Sequence, residues 1–149
     1  MKSGQNIVWG GMHMKKPIYF ITREHKENFY RLLEKTGDED NLEQVAADYI
    51  LASIGTMDED ELSISYIEPL VSAEKFDFEQ MFEKLSFNPL ALALVKLAAN
   101  LIDEKYEANV KQIFSVLNDE YQAVAYQALL ITFPSFSKSW TRRYEFFDD

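Results

Sequence analysis

The most apolar stretch of the chain reads Asn88-Pro89-Leu90-Ala91-Leu92-Ala93-Leu94-Val95-Lys96-Leu97-Ala98-Ala99-Asn100-Leu101-Ile102. Asn88 can accept a backbone N–H bond as the N-cap, and Pro89 suits the first helical position, where its missing donor costs nothing. After Pro89 only Lys96 and Asn100 are polar, and their spacing of four residues puts them on one narrow stripe. The stretch therefore predicts a buried central helix, Pro89–Ile102, with neighbours on nearly every side. It is too short for a membrane span, which needs about 20 apolar residues.

The rest of the chain has the composition of a soluble helical domain. Its 149 residues are 47% hydrophobic and include no cysteine, which excludes disulfides, thiolate zinc sites and cysteine nucleophiles and fits a reducing cytoplasm. The net charge of −10 opposes binding to DNA, RNA or anionic lipid and suits a basic partner. We therefore expect no direct nucleic-acid binding and no membrane association.

Helical periodicity predicts further helices on both sides of the central one. Thr22 and Asn41 are suitable N-caps, and Gly37 and Gly55 are suitable ends. The predicted helices are Arg23–Lys35, Leu42–Ile54, Ser72–Leu85, Val110–Leu117, and one that starts at Asn118 or Asp119 and stops before Pro134. Short connections between them predict an all-α compact bundle of about five to six helices in one domain, residues 14–133.

Two segments of the chain do not read as helix. Residues 1–13 contain three glycines and no periodicity, and we interpret them as an over-called start or a cloning remnant, with Met14 as the natural start. Between Thr56 and Ser72, the run Leu62–Ile67 alternates apolar and polar residues like a strand. Since a lone strand has nothing to pair with, we predict an extended segment or loop there.

The candidate chemistry of the chain is sparse. No zincin, P-loop, nucleophile-elbow or dinucleotide motif occurs. His25 lacks ligand partners at helical spacing and is predicted to be a surface or capping residue, and the acidic run 58–61 lacks the glycine and the further oxygen ligand of a calcium loop. Paired carboxylates for glycoside hydrolysis stay open, because only their separation in space identifies them. We predict no catalytic residue, no metal and no cofactor.

Two polar features stand out as candidate sites. Lys96 and Asn100 form either a buried site or, as we favour, a snorkelling lysine and a hydrogen-bonded asparagine on an exposed stripe. The tail, residues 134–149, mixes aromatic and basic residues of the types enriched at binding hot spots, although it could instead fold back over the core. Its candidate interface residues are Phe136, Trp140, Arg142, Arg143, Tyr144, Phe146 and Phe147.

A resemblance is carried by the order and spacing of six segments: residues 24–30, 47–52, 76–79, 86–101, 113–117 and 120–133. Together they resemble a family of small uncharacterised proteins carried by phages and prophages of Gram-positive bacteria. The resemblance implies an all-helical protein of the bacterial cytoplasm and implies no activity that can be assigned to residues. Residues 56–72 match poorly, and the tail extends beyond the usual family end.

These observations lead to an expected function and three alternatives. We expect a non-enzymatic phage accessory protein that binds a host factor or an anti-phage defence component. The alternatives are a virion- or tail-assembly chaperone that self-associates, an enzyme built on unrecognised carboxylates, and a DNA mimic. Lysines and an arginine interrupt the acidic residues, which disfavours mimicry. Homo-oligomerisation stays open.

Overall fold

A computed structural model describes residues 18–37, 39–57 and 62–135, together with the backbone of residues 7–9 and 12–14. These ranges contain seven α-helices, which confirms the all-α fold: α1 Arg23–Thr36, α2 Leu42–Ile54, α3 Ile64–Ile67, α4 Phe78–Lys84, α5 Pro89–Ile102, α6 Val110–Val116 and α7 Asp119–Thr132. Within the ranges described, no helix is both long and apolar enough to cross a membrane. Ahead of the helices, β1 (Ile7–Trp9) and β2 (Met12–Met14) pair as an antiparallel hairpin.

Four of the longer helices begin where their caps predict. The side chains of Thr22, Asn41, Asn88 and Asn118 each accept a bond from the backbone N–H three residues further on. Each cap satisfies one of the donors that a helix leaves free in its first turn. Helix α1 ends at Gly37, whose φ of 74° is a left-handed conformation that favours glycine.

Helix α2, not α5, is the most enclosed element. Every residue from Val45 to Gly55 is buried, and the helix packs against α1, α5 and α7. Helix α5 has the predicted bounds, but Leu92, Lys96 and Asn100 remain half-buried along one side. The stretch with the highest apolar content therefore lies beside the centre, because its polar stripe needs access to water.

The segment after α2 differs from its prediction. Instead of an extended run, the chain forms the single turn α3, followed by a 3₁₀ turn at Glu68–Leu70. Helix α4 begins at Phe78 with Asp77 as its cap, so the predicted start at Ser72 was wrong. The Ser72 hydroxyl accepts the backbone N–H of Lys75 at 3.1 Å and closes a local turn instead of a helix.

Candidate functional site

A furrow of three adjoining hollows runs along the half-buried stripe of α5. The apolar hollow, about 150 Å³, lies between the start of α5 and α6, and its apolar lining is Pro89, Leu92, Ala93, Ile113 and Val116. Lys96, Gln112 and Ile113 also line a middle hollow of about 570 Å³. Asn100 and Glu104 connect the middle hollow to a C-terminal hollow of about 570 Å³ at the ends of α5 and α7. At 1.5 Å per residue, the fourteen residues of α5 give the furrow a length of about 20 Å.

The furrow changes from apolar to acidic along its length. Among the described residues, its acidic lining consists of Glu104 and Glu107 in the middle hollow and Glu43, Asp103 and Glu104 in the C-terminal hollow. Lys96 is the one basic residue of the described lining. Helices α5 and α7 both end at the C-terminal hollow, so the partial negative charge of two helix C-termini adds to the carboxylates. This end of the furrow therefore favours a cation.

The acidic wall is held in place by a short chain of hydrogen bonds. The Asn100 amide donates to the carbonyl oxygen of Tyr106 at 2.7 Å, and the Tyr106 hydroxyl donates to Glu79 on α4 at 2.5 Å. The bond to Glu79 raises the pKa of Tyr106 to about 12 and holds the pKa of Glu79 below its ordinary value. The Tyr106 ring also packs edge-on against Phe78 and Phe82. These contacts fix the loop that carries Glu104 and Glu107.

The predicted pair Lys96 and Asn100 lies on the furrow floor. Asn100 is hydrogen-bonded, as predicted, whereas the stripe that it shares with Lys96 is half-buried and not exposed. Lys96 lines both the apolar and the middle hollow and forms no ion pair with a described residue. Lys96 therefore lies where the apolar hollow meets the middle hollow.

The lining of the apolar hollow includes an exposed apolar side chain. Val116 lines the apolar hollow and is 45% exposed. Phe87, 50% exposed, precedes Pro89 of the same hollow by two residues. Single exposed apolar residues are ordinary, but apolar residues around a concavity are typical of binding sites.

His25 is a buried capping residue, so its predicted surface position was wrong and its capping role is confirmed. Its backbone N–H donates to the Thr22 hydroxyl at 3.0 Å, and its Nδ1 accepts the Ile21 backbone N–H at 3.2 Å. Its Nε2–H donates to the Tyr49 carbonyl oxygen at 2.9 Å. The arrangement differs from a capping box because the His25 ring accepts the N–H of Ile21, the residue before the N-cap, and not the N–H of Thr22 itself. Burial lowers the pKa of His25 to about 4, so the ring is neutral.

Asp48 is a functional-group candidate that the sequence reasoning missed. It is fully buried on α2, and Thr36 Oγ1 lies 2.7 Å from its Oδ2. Burial raises the pKa of Asp48 to about 7. Its position inside the apolar run Val45–Ile54 was the available signal. It lines none of the three hollows of the furrow, and it is the one buried carboxyl among the described residues.

Two predicted features fall outside the part of the chain that the structure describes. These are the acidic run 58–61 and the candidate interface Phe136, Trp140, Arg142, Arg143, Tyr144, Phe146 and Phe147. Within the described ranges, no group of three or more histidine, aspartate or glutamate side chains could hold a metal ion.

The fold and its furrow define a class of protein: a small all-α domain with an open groove between helices, apolar at one end and acidic at the other. No protein-family model, curated protein or solved structure matches the chain.

Proposed function

We propose that this protein is a non-catalytic binding protein that holds a protein partner in the furrow along α5. The observation that carries the proposal is the apolar hollow, whose lining includes Val116, 45% exposed. Removing apolar surface from water is favourable by about 25 cal/mol per Å², from which the costs of association are subtracted, and the cores of interfaces are more apolar than the rest of a protein surface. The polar remainder of the furrow supplies the rim that fixes orientation.

The biological setting of the proposal is phage growth in a Gram-positive bacterium. It rests on the resemblance of the six segments and makes the partner a host factor or a defence component. The net charge of −10 supports a partner of opposite charge. The aromatic and basic tail is a second surface for the same purpose.

Affinity capture from bacterial lysate with a matched pair of variants tests the furrow. Val116→Asp places a charge on the apolar hollow, whereas Val110→Asp places the same charge on the same helix, 68% exposed and outside the described linings of the three hollows. Both valines are exposed, so both variants are expected to fold like the unmodified chain, which circular dichroism checks. We expect a stoichiometric partner with the unmodified chain and with Val110→Asp, and its loss with Val116→Asp.

Three results would overturn this proposal. The first is capture of no stoichiometric partner, and the second is equal capture by both valine variants. The third is capture that survives Val116→Asp and disappears when residues 136–149 are removed, which would assign binding to the tail. If the captured protein is a second copy of the chain, sedimentation shows a Val116-dependent oligomer, and the self-associating assembly factor replaces the binding protein.

A further inference from the structure

The backbone of the furrow walls restricts the kind of segment that can bind there. The walls come from α5, α6, the ends of α2 and α7, and the loop 103–109 between α5 and α6. The backbone groups inside the helices are already paired, and no strand lies among the described walls. An extended peptide would find no free sheet edge along α5 and would bury backbone groups without partners. A helix satisfies its own backbone and presents only side chains. The furrow therefore suits a helix that lies along it.

The length of the furrow, and its change from apolar to acidic from one end to the other, define that helix further. A furrow of about 20 Å accommodates about fourteen helical residues, or four turns. Leu92 and Val116 form the apolar end, and Glu104, Glu107 and Asp103 lie towards the other end. The two helix C-termini at the acidic end add negative potential. A complementary helix has apolar residues on one face of one half and Arg or Lys on the same face of the other half.

We propose that the partner segment is an amphipathic helix, apolar in one half and basic in the other, that lies lengthwise in the furrow with its basic half at Glu104 and Glu107. This inference rests on the proposed function, since it names the partner class for the same surface. Lys96, between the two ends, sets the register by repelling a basic residue placed too early along the helix. The arrangement gives the complex a single orientation.

Synthetic peptides and the full chain test the partner class directly. The probe is a labelled, alanine-rich peptide of about fourteen residues with leucines on one face of one half and arginines on the same face of the other. Matched peptides carry glutamate in place of arginine, or the same residues in scrambled order. Fluorescence anisotropy at two salt concentrations measures the dissociation constants.

We expect the basic peptide to bind at least about tenfold more tightly than the acidic and scrambled peptides. The double variant Glu104→Gln/Glu107→Gln is expected to weaken its binding about three- to tenfold and to reduce its salt dependence. The control is Glu34→Gln/Glu74→Gln, which neutralises two exposed carboxylates outside the described linings of the three hollows and leaves the dissociation constant unchanged. Val116→Asp is expected to weaken binding about tenfold or more.

Four outcomes would overturn the inference, and each is distinguishable from failure of the proposed function. If the acidic peptide binds as tightly as the basic peptide, the partner helix is not selected for basic residues. If no peptide shows saturable binding up to about 1 mM while lysate capture still depends on Val116, the partner segment is not a helix of this kind, but the furrow is still the binding surface. Peptide binding only after removal of residues 136–149 assigns the furrow to the chain's own segment. Val116-dependent self-association assigns it to a second copy.

Discussion

Asp48 shows how a buried charged group is accommodated in the most enclosed helix. The Thr36 hydroxyl lies 2.7 Å from Asp48 Oδ2 and 3.2 Å from the carbonyl oxygen of Leu33. A hydroxyl has one proton to donate. When Thr36 gives that proton to Leu33, a protonated Asp48 completes the chain by donating to Thr36. A neutral carboxyl therefore pairs Oδ2 with Thr36, whereas Oδ1 is buried without a hydrogen-bond partner among the described residues. Both features disfavour the charged form, in agreement with a pKa that burial raises from 3.8 to about 7.

Replacement of Asp48 by asparagine is expected to change the pH dependence of stability. Because the folded-state pKa is raised, the contribution of Asp48 is fully present below its unfolded pKa and is lost as pH rises to about 7. Asp48→Asn keeps a donor towards Thr36 and cannot ionise. We expect it to be about 1–3 kcal/mol more stable than the unmodified protein at about pH 8, with no such gain at about pH 4. Urea unfolding followed by circular dichroism measures this, with exposed Glu74→Gln as the control. An equal gain at both pH values would contradict it.

The contribution of His25 to stability has the opposite pH dependence to that of Asp48 over the same pH range. Its folded-state pKa is lowered from 6.5 to about 4, so its contribution is present above 6.5 and is lost as pH falls towards 4. The two effects offset each other, and we expect the stability of the unmodified protein to change little between these values. His25→Gln is expected to lose about 1–3 kcal/mol at about pH 8 with its hydrogen bonds. Without His25, the effect of Asp48 is no longer offset, so the stability of this variant is expected to fall as pH rises. The same unfolding series measures this fall. A rise instead would contradict the assignment of Asp48.

Two glycines end helices α1 and α2 for different physical reasons, and substitutions separate them. Gly37 has a φ of 74°, whereas a Cβ on Gly55 would lie 3.1 Å from Ile64 Cα and 3.2 Å from the Asn28 amide nitrogen. Asparagine tolerates the left-handed conformation but needs more room than alanine. We expect Gly37→Ala to lower the free energy of unfolding by about 1 kcal/mol and Gly37→Asn to lower it by less. At Gly55 we expect alanine to lower it by about 1–3 kcal/mol and asparagine to lower it by more. Thermal unfolding measures all four. The same order at both glycines would show that Gly55 is not constrained by packing.

Local signals predicted helix starts better than they predicted the segment after α2. Thr22 and Asn88 are caps whose partners lie three residues away, so the sequence alone contains the interaction. Alternation such as that in Leu62–Ile67 is typical of a strand with one buried face, and we predicted an extended segment or loop there. The chain instead buries Leu62 and Ile67, which would lie on opposite faces of a strand. A turn of helix at Ile64–Ile67 brings both into the core. Tertiary burial thus overrode the local pattern.

At the scale of the whole molecule, the furrow could be predicted only in part. The stripe of Lys96 and Asn100 indicated an open side of α5, and that side is the furrow floor. Its far end joins Glu43, Glu104 and Phe133, which are distant in sequence, so no local pattern could place them together. The position of α2 at the centre also depends on three helices that meet around it. The amino-acid composition indicated α5 as the central helix because composition reports how many residues are apolar, and not how many other helices surround them.

The proposed function places binding in a different part of the molecule from the core that stabilises it, and one pair of substitutions tests this separation. Ile50 is fully buried at the centre of α2, whereas Leu92 is half-buried on the furrow floor. Ile50→Ala creates a cavity among packed neighbours and is expected to cost about 2–5 kcal/mol of unfolding free energy. Leu92→Ala opens a surface hollow that water already reaches, and its expected cost is below about 1.5 kcal/mol. Urea unfolding measures both, and affinity capture is expected to weaken for Leu92→Ala while Ile50→Ala, where it stays folded, retains the partner. A Leu92→Ala variant as unstable as Ile50→Ala would place the furrow floor within the core and return the central role to α5.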